Sequence, residues 1–113
     1  GYNTDVEKDG GVAIGADSVA SVDKGAAGYD PSTDTASADT SATWKATAAA
    51  VSVGKAATPT SAAVTRQITN VAAGTQDTDA VNVAQLKRYR QLPVRQKCII
   101  TAPSLQNGSR QQL

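Results

Sequence analysis

RQITNVAAGTQDTDAVNVAQLK (residues 66–87) holds a short extended run, a glycine turn, an acidic cap and a helix start. Ile68 and Val71 stand three apart before Ala72, Ala73 and Gly74 break the run. Gly74 is the expected left-handed residue, where the chain reverses. Asp77, Thr78 and Asp79 crowd the approach to a helix expected over residues 80–87. Asp77 or Thr78 can place a side-chain oxygen on the free amides of its first turn. Negative charge there also suits the positive end of the helix dipole. Val83 and Leu86 share a helix face, with Asn82 and Gln85 beside them. This is a narrow seam of the kind that opens a coiled coil, not the broad face of a helix in a globular core. The stretch holds too few apolar groups to fold alone, and it reads as one third of a symmetric object.

Composition points the same way. The chain has 113 residues, of which 21 are alanine; valine, isoleucine and leucine together number 19, and phenylalanine is absent. So small a share of large apolar residues makes disorder a competing reading. Disorder usually also needs a high net charge, and here it is +1. Small residues can instead support tight repetitive packing in which several chains share one core. Histidine is absent, which excludes Ser-His-Asp and Cys-His catalysis and histidine metal sites. A single cysteine, Cys98, makes neither an intrachain disulfide nor a cysteine metal cluster. No run approaches the length of a membrane helix and no signal peptide opens the chain, so it reads as an internal piece of a longer secreted polypeptide. Charge is divided sharply: residues 1–86 hold all ten acids and five bases, and residues 87–113 hold six bases and no acid.

Upstream, Val12 and Ile14 alternate with Ala13, the period of a strand with one buried face, and Gly15 ends the run. Ala50-Val51-Ser52-Val53-Gly54 repeats that pattern. Strand, glycine and strand at short intervals mark a repetitive β coil. Residues 1–10 are polar and turn-rich, either the end of an earlier repeat or a frayed start. Residues 21–47 depart from the repeat and read as an exposed loop inserted into the last coil. Within them, Tyr29-Asp30-Pro31-Ser32 is a turn, with proline setting φ and Asp30 or Ser32 bonding locally. Trp44, the single tryptophan, either caps the core near the base of the fold or, with Tyr29, forms an exposed aromatic contact for a ligand. Residues 55–65 are a connector, in which Pro59 excludes a central strand position.

Through more than twenty consecutive positions, residues 66–87 resemble the neck motif of the trimeric autotransporter adhesins, which joins a β head to a coiled-coil stalk on the bacterial surface. AIGADSVA, residues 13–20, is similar to the YadA-like head repeats of the same family. A generic alanine-rich helix entry is the competing reading of the neck. The resemblance implies a mainly β chain. Residues 1–65 would be a left-handed parallel β-roll head, trimeric, with an inserted loop at about 21–47. Residues 66–87 would be the neck and the start of a short parallel coiled-coil helix. Val12, Ile14, Val51, Val53, Ile68, Val71, Val83 and Leu86 would face the roll interior or the trimer axis. Arg66, Asp77 and Asp79 would be candidates for interchain ion pairs, or else solvated charges. No cofactor, metal or nucleic acid is implied. The implied partners are two further copies in a parallel homotrimer, and a host extracellular matrix or cell-surface receptor. Attachment to the outer membrane would run through an anchor outside these residues.

Three function classes follow. The first is adhesion, a virulence function exported to the cell surface. The second is a purely structural head-to-stalk connector with no ligand site of its own. The third, an enzyme, fails on inventory: the carboxylates lie scattered in turns and caps, and no phosphate loop or metal spacing occurs. The tail breaks the pattern. A seam begun at Val83 next uses Arg90 and Pro93, and proline ends a helix. Residues 88–113 are therefore expected to be an atypical basic tail, drawn from a shifted reading frame or joined from elsewhere. The other reading is a basic arm for nucleic acid or anionic lipid, which no nucleic-acid-binding motif supports.

Overall fold

Short strands stacked in parallel organise the first part of the chain. The computed structural model describes residues 1–94. Expectations about Cys98 and the tail from residue 95 onward lie outside the described residues. The strands are β1 (Asp5–Val6), β2 (Val12–Ala13), β3 (Val19–Ala20), β4 (Tyr29–Asp30), β5 (Thr35–Ala36) and β6 (Val51–Ser52), and the one described helix is α1 (Val83–Gln91). The chain divides into two units, Gly1–Thr69 and Asn70–Leu113.

In the first unit, β1 pairs in parallel with β3, Asp5 opposite Val19, and β2 pairs in parallel with β6, Val12 opposite Val51. The two apolar repeats seen in the sequence are thus direct neighbours in one ladder. Residues 1–10, left open from sequence, supply a strand of the preceding coil. Ladder bonds continue beyond the strands: Asp5 N–H donates to the Ser18 carbonyl at 3.0 Å, and Ile14 N–H to that of Ser52 at 2.9 Å. The coil repeats every fourteen residues at one corner. Asn3 and Asp17 both adopt left-handed backbone, with φ of 53° and 65°. Asn3 Nδ2 donates to Asp17 Oδ1 at 2.7 Å, tying one corner to the next. Asn and Asp are the non-glycine residues that tolerate this region best. The interior is narrow: Ser18 and Ala20 are buried, while Val12, Ile14 and Val51 stay exposed.

The stretch between the repeats is an ordered antiparallel arm, not an irregular loop. β4 and β5 pair antiparallel, Tyr29 opposite Ala36. Toward the base, Ala27 bridges Lys45 and Gly28 N–H donates to the Trp44 carbonyl at 2.7 Å. At the tip, Asp30 Oδ1 accepts from Ser32 N–H at 2.9 Å and Ser32 Oγ at 2.7 Å, the local bonding expected there. The Tyr29 hydroxyl donates to the Asp34 carboxylate across the hairpin. That bond holds the Tyr29 proton beyond the usual phenol range, with desolvation and the nearby Asp30 charge adding to it. Hydroxyl and carboxylate side chains thus replace the apolar contacts that sequence periodicity detects. The connector folds back as well: Lys55 bridges Val64 and Thr58 bridges Ser61, with Pro59 in the turn between them.

In the second unit, α1 starts later than expected. Its cap is Asn82, not Asp77 or Thr78. Asn82 Oδ1 accepts from Gln85 N–H at 3.1 Å, and Gln85 Oε1 accepts from Asn82 N–H at 3.2 Å, a reciprocal capping box. Asp79 turns upstream instead, accepting from Thr75 and Gln76 N–H at 3.0 Å each. The helix runs past Lys87 to Gln91. Leu92 is extended, with ψ of 144°, as a residue before proline must be. Gly74 is not left-handed; Asn70 is, with φ of 63°. Glycine at 74 answers to space, because a Cβ there would lie 2.6 Å from the Ala80 carbonyl oxygen.

The corner gives a direct test. Asp17→Ala should destabilise the chain by about 1–2 kcal/mol, from left-handed strain and the lost bond to Asn3. Asp17→Asn, which tolerates the same backbone, should cost under about 0.5 kcal/mol. Thermal melting of both variants checks the ranking, and equal losses would remove the corner from the account.

Candidate assembly surface

The exposed apolar residues form the surface of interest. Val12 and Val51 are paired neighbours in a parallel ladder. Ile14 and Val53 follow two residues on, so all four share one face of the pleat. Val12, Ile14 and Val51 are 42%, 54% and 62% exposed, and Val53 is half-buried. Val22, Val64, Ala50 and Gly54 help line an adjoining open groove of about 550 Å³. A stripe of β-branched apolar side chains left in water is unfavourable. On α1, Val83 and Leu86 are 66% and 61% exposed. Ile68 is exposed and Val71 half-buried. Trp44 is half-buried at the base of the arm and Tyr29 is exposed near its tip.

Polar side chains hold the backbone behind these residues. Arg66 Nη1 donates to Val53 O at 2.9 Å and to Ser18 Oγ at 3.2 Å, and Nη2 donates to Ala16 O at 2.8 Å. Ser18 is fully buried, and its hydroxyl donates to the Ile14 carbonyl at 2.5 Å. One guanidinium therefore ties the corner at residues 16–18 to the end of β6. Gly15 makes room for it: φ is +93°, and a Cβ there would sit 2.8 Å from Arg66 Cζ. Arg66, expected as an interchain ion-pair candidate, thus has a demanding role inside its own chain.

In the second unit, Gln85 grips a peptide edge. Its Nε2 donates to Gly74 O at 3.1 Å, and its Oε1 accepts from Gly74 N–H at 3.1 Å. Asn82 Nδ2 donates to Val71 O at 3.1 Å. Asn82 and Gln85 lie beside the Val83–Leu86 seam, Asn82 about 40° from Leu86 around the helix. The loop is fastened along that flank of α1, and Val83 and Leu86 stay exposed. Asp77 is exposed, and Asp79 caps the turn at Thr75 and Gln76. Those two amide donors hold the Asp79 carboxyl below its ordinary range.

The sequence put Val83 and Leu86 on one helix face, as α1 does, but gave no account of these cages. One signal was available: Asn82 and Gln85 have the spacing of a capping box, three residues apart, just ahead of an apolar run. The Asn3–Asp17 recurrence at fourteen residues was another. Nothing local signalled the Arg66 contacts, which reach 48 and 50 residues back along the chain.

Comparison with known proteins follows this geometry. Residues 67–92 match the family model described as the coiled stalk of trimeric autotransporter adhesins. The chain is similar to autotransporter adhesin BadA of Bartonella henselae, 58% identical over 79 residues, covering 70% of this chain and 2% of that protein. It is also similar to trimeric autotransporter adhesin AtaA of Acinetobacter sp. (strain Tol 5), 51% identical over 72 residues, covering 62% of this chain and 2% of that protein. The chain therefore spans about 2% of the length of these curated relatives. No solved structure matches it significantly.

Two measurements test the cages. Arg66→Ala and Gly15→Ala should each destabilise the first unit by about 1–2 kcal/mol, and the double variant by clearly less than their sum, since both release the same guanidinium. Strict additivity in chemical denaturation would separate the two residues. The Asp79 bonds stabilise the loop wherever the carboxylate is ionised. With its folded pKa below the unfolded value near 4, that contribution is intact above this value and is lost as pH falls through the lowered one. Protection of the Thr75 and Gln76 amides, relative to their intrinsic exchange rates, should fall as pH drops below about 4, and Asp79→Ala should show that loss at neutral pH already.

Proposed function

Because the chain is a segment of the trimeric autotransporter adhesin family, we propose that it forms a parallel homotrimer at the bacterial surface and takes part in attachment to host matrix or cell-surface receptors. One observation carries this reading. Among the described residues, only small side chains are buried, and Val12, Ile14, Val51, Val83 and Leu86 are left to solvent. Two further copies would cover them. Residues 1–65 then act as a left-handed β-roll head and residues 66–87 as the neck leading into a parallel coiled coil. Threefold symmetry multiplies each weak contact, so avidity can exceed single-site affinity by orders of magnitude. The antiparallel arm is the feature best suited to present a surface. Its tip is braced by Asp30, Ser32 and the Tyr29–Asp34 bond, so little ordering entropy remains to be lost on binding.

The connector reading is favoured by the neck itself. Asn82 and Gln85 fasten the loop to α1 without using the seam, which suits an element whose task is to pass from β head to stalk.

Leu86→Asp separates these ideas experimentally. Leu86 is exposed within one chain, so the substitution should change monomer stability by no more than about 0.5 kcal/mol. In a trimer it would set three like charges near one axis, and assembly should be lost. Sedimentation equilibrium should show a trimer for the parent chain and a monomer for the variant. Retention on immobilised matrix protein should fall with it. A parent chain that stays monomeric would overturn the proposal. A stable trimer with no retention would leave the connector role.

A further inference from the structure

Most aspartates of this chain are held by a hydrogen bond. Asp17 accepts from Asn3, Asp30 from Ser32, Asp34 from Tyr29, Asp39 from Ser41, and Asp79 from Thr75 and Gln76. Among the described residues, the carboxylates of Asp5, Asp9 and Asp77 make no such bond. Val6 follows Asp5 and Thr78 follows Asp77, both β-branched, whereas Gly10 follows Asp9. Residues 8–11 form a turn, closed by Gly11 N–H donating to the Lys8 carbonyl at 3.0 Å. Gly10 is left-handed there, with φ of 82°, as the third residue of a type II turn must be. Its own N–H makes no hydrogen bond among the described residues. Asp9 and Gly10 are exposed, and a Cβ at Gly10 would meet nothing within 4 Å. A free carboxyl thus stands beside a free main-chain nitrogen whose residue has no side chain to obstruct their approach.

We propose that Asp9 is a self-acting modification site, where the backbone rearranges to an isoaspartyl linkage and loosens the coil. The Gly10 nitrogen gives up its proton and bonds to Asp9 Cγ. One carboxyl oxygen leaves as water, closing a five-membered succinimide. Water then adds at the former main-chain carbonyl carbon of Asp9, and the bond from that carbon to the Gly10 nitrogen breaks. The main chain now runs through Cγ, one carbon longer, with a carboxylate on Cα. Water lost equals water gained, and neither oxidant nor reductant is needed. The coil does not absorb the extra carbon freely. A Cβ at Gly11 would lie 3.1 Å from the Lys8 carbonyl oxygen and from Val6 Cγ1, and 3.5 Å from the Cβ of buried Ala20. Gly11 is therefore seated closely against β1 and the interior. Lengthening the turn just ahead of it moves it from that seat and breaks the Lys8–Gly11 bond. The site is complete within one chain.

Ageing the 113-residue chain for several weeks at neutral pH tests this. Trypsin cuts after Lys24, and electron-transfer fragmentation of the released peptide places isoaspartate among Asp9, Asp17 and Asp23. Isoaspartate should accumulate several-fold faster at Asp9 than at either of the others, and the aged chain should melt below the fresh one. Asp23 is the stringent comparison. Its Oδ1 already accepts from Lys24 N–H at 2.7 Å, but Lys24 carries a side chain. Asp9→Glu keeps the charge and would need a six-membered ring, so it should form no rearranged product there and keep its melting temperature on ageing. Asp9 left unconverted, or converted no faster than Asp23, would overturn the site. Conversion with unchanged melting, or an equal fall in aged Asp9→Glu, would overturn its effect on the coil.

Discussion

Scarcity of large apolar side chains governs this molecule. A chain usually offsets the entropy of ordering by removing apolar surface from water. Here the first unit closes around Ser18 and Ala20, and Val12, Ile14, Val22 and Val51 stay exposed. Burial within one chain therefore contributes little. Within the chain, backbone ladders and polar corners supply the remainder.

The second consequence is a reliance on side chains that satisfy backbone groups. Arg66 holds two carbonyls and a buried hydroxyl; Gln85 holds both backbone polar atoms of Gly74; Asp79 holds two amides. Each of these bonds is modest once exchange with water is counted. Their value lies in geometry. Arg66 sets where the corner sits against the end of β6. Gln85 sets which flank of α1 carries the loop. The same device recurs in the arm, where Asp30 and Asp34 stiffen a hairpin that has no apolar core of its own.

These features give the functional reading its shape. In the first unit, the exposed Val12 and Val51 sit opposite each other in one parallel ladder, and the braced arm of β4 and β5 is a separate element.

Period-two alternation at Val12–Ile14 and Val51–Val53 and the three-residue spacing of Val83 and Leu86 were legible in the amino-acid order. They determine a β repeat followed by a helix with a narrow seam, since each is a local pattern matched to a local geometry. The order of residues also excluded histidine chemistry outright. The arm was not legible, because its pairing rests on hydroxyl, carboxylate and backbone bonds that leave no hydrophobic period. The helix start was misjudged for a related reason. Three acidic or hydroxyl residues stood ready to cap, and only the fold shows that Asp79 is held by the amides of Thr75 and Gln76, leaving the cap to Asn82. The placement of Arg66 on Ala16, Ser18 and Val53 belongs to tertiary structure alone. A contact that spans about fifty residues is fixed by where the coils stack, and no local pattern around Arg66 encodes it.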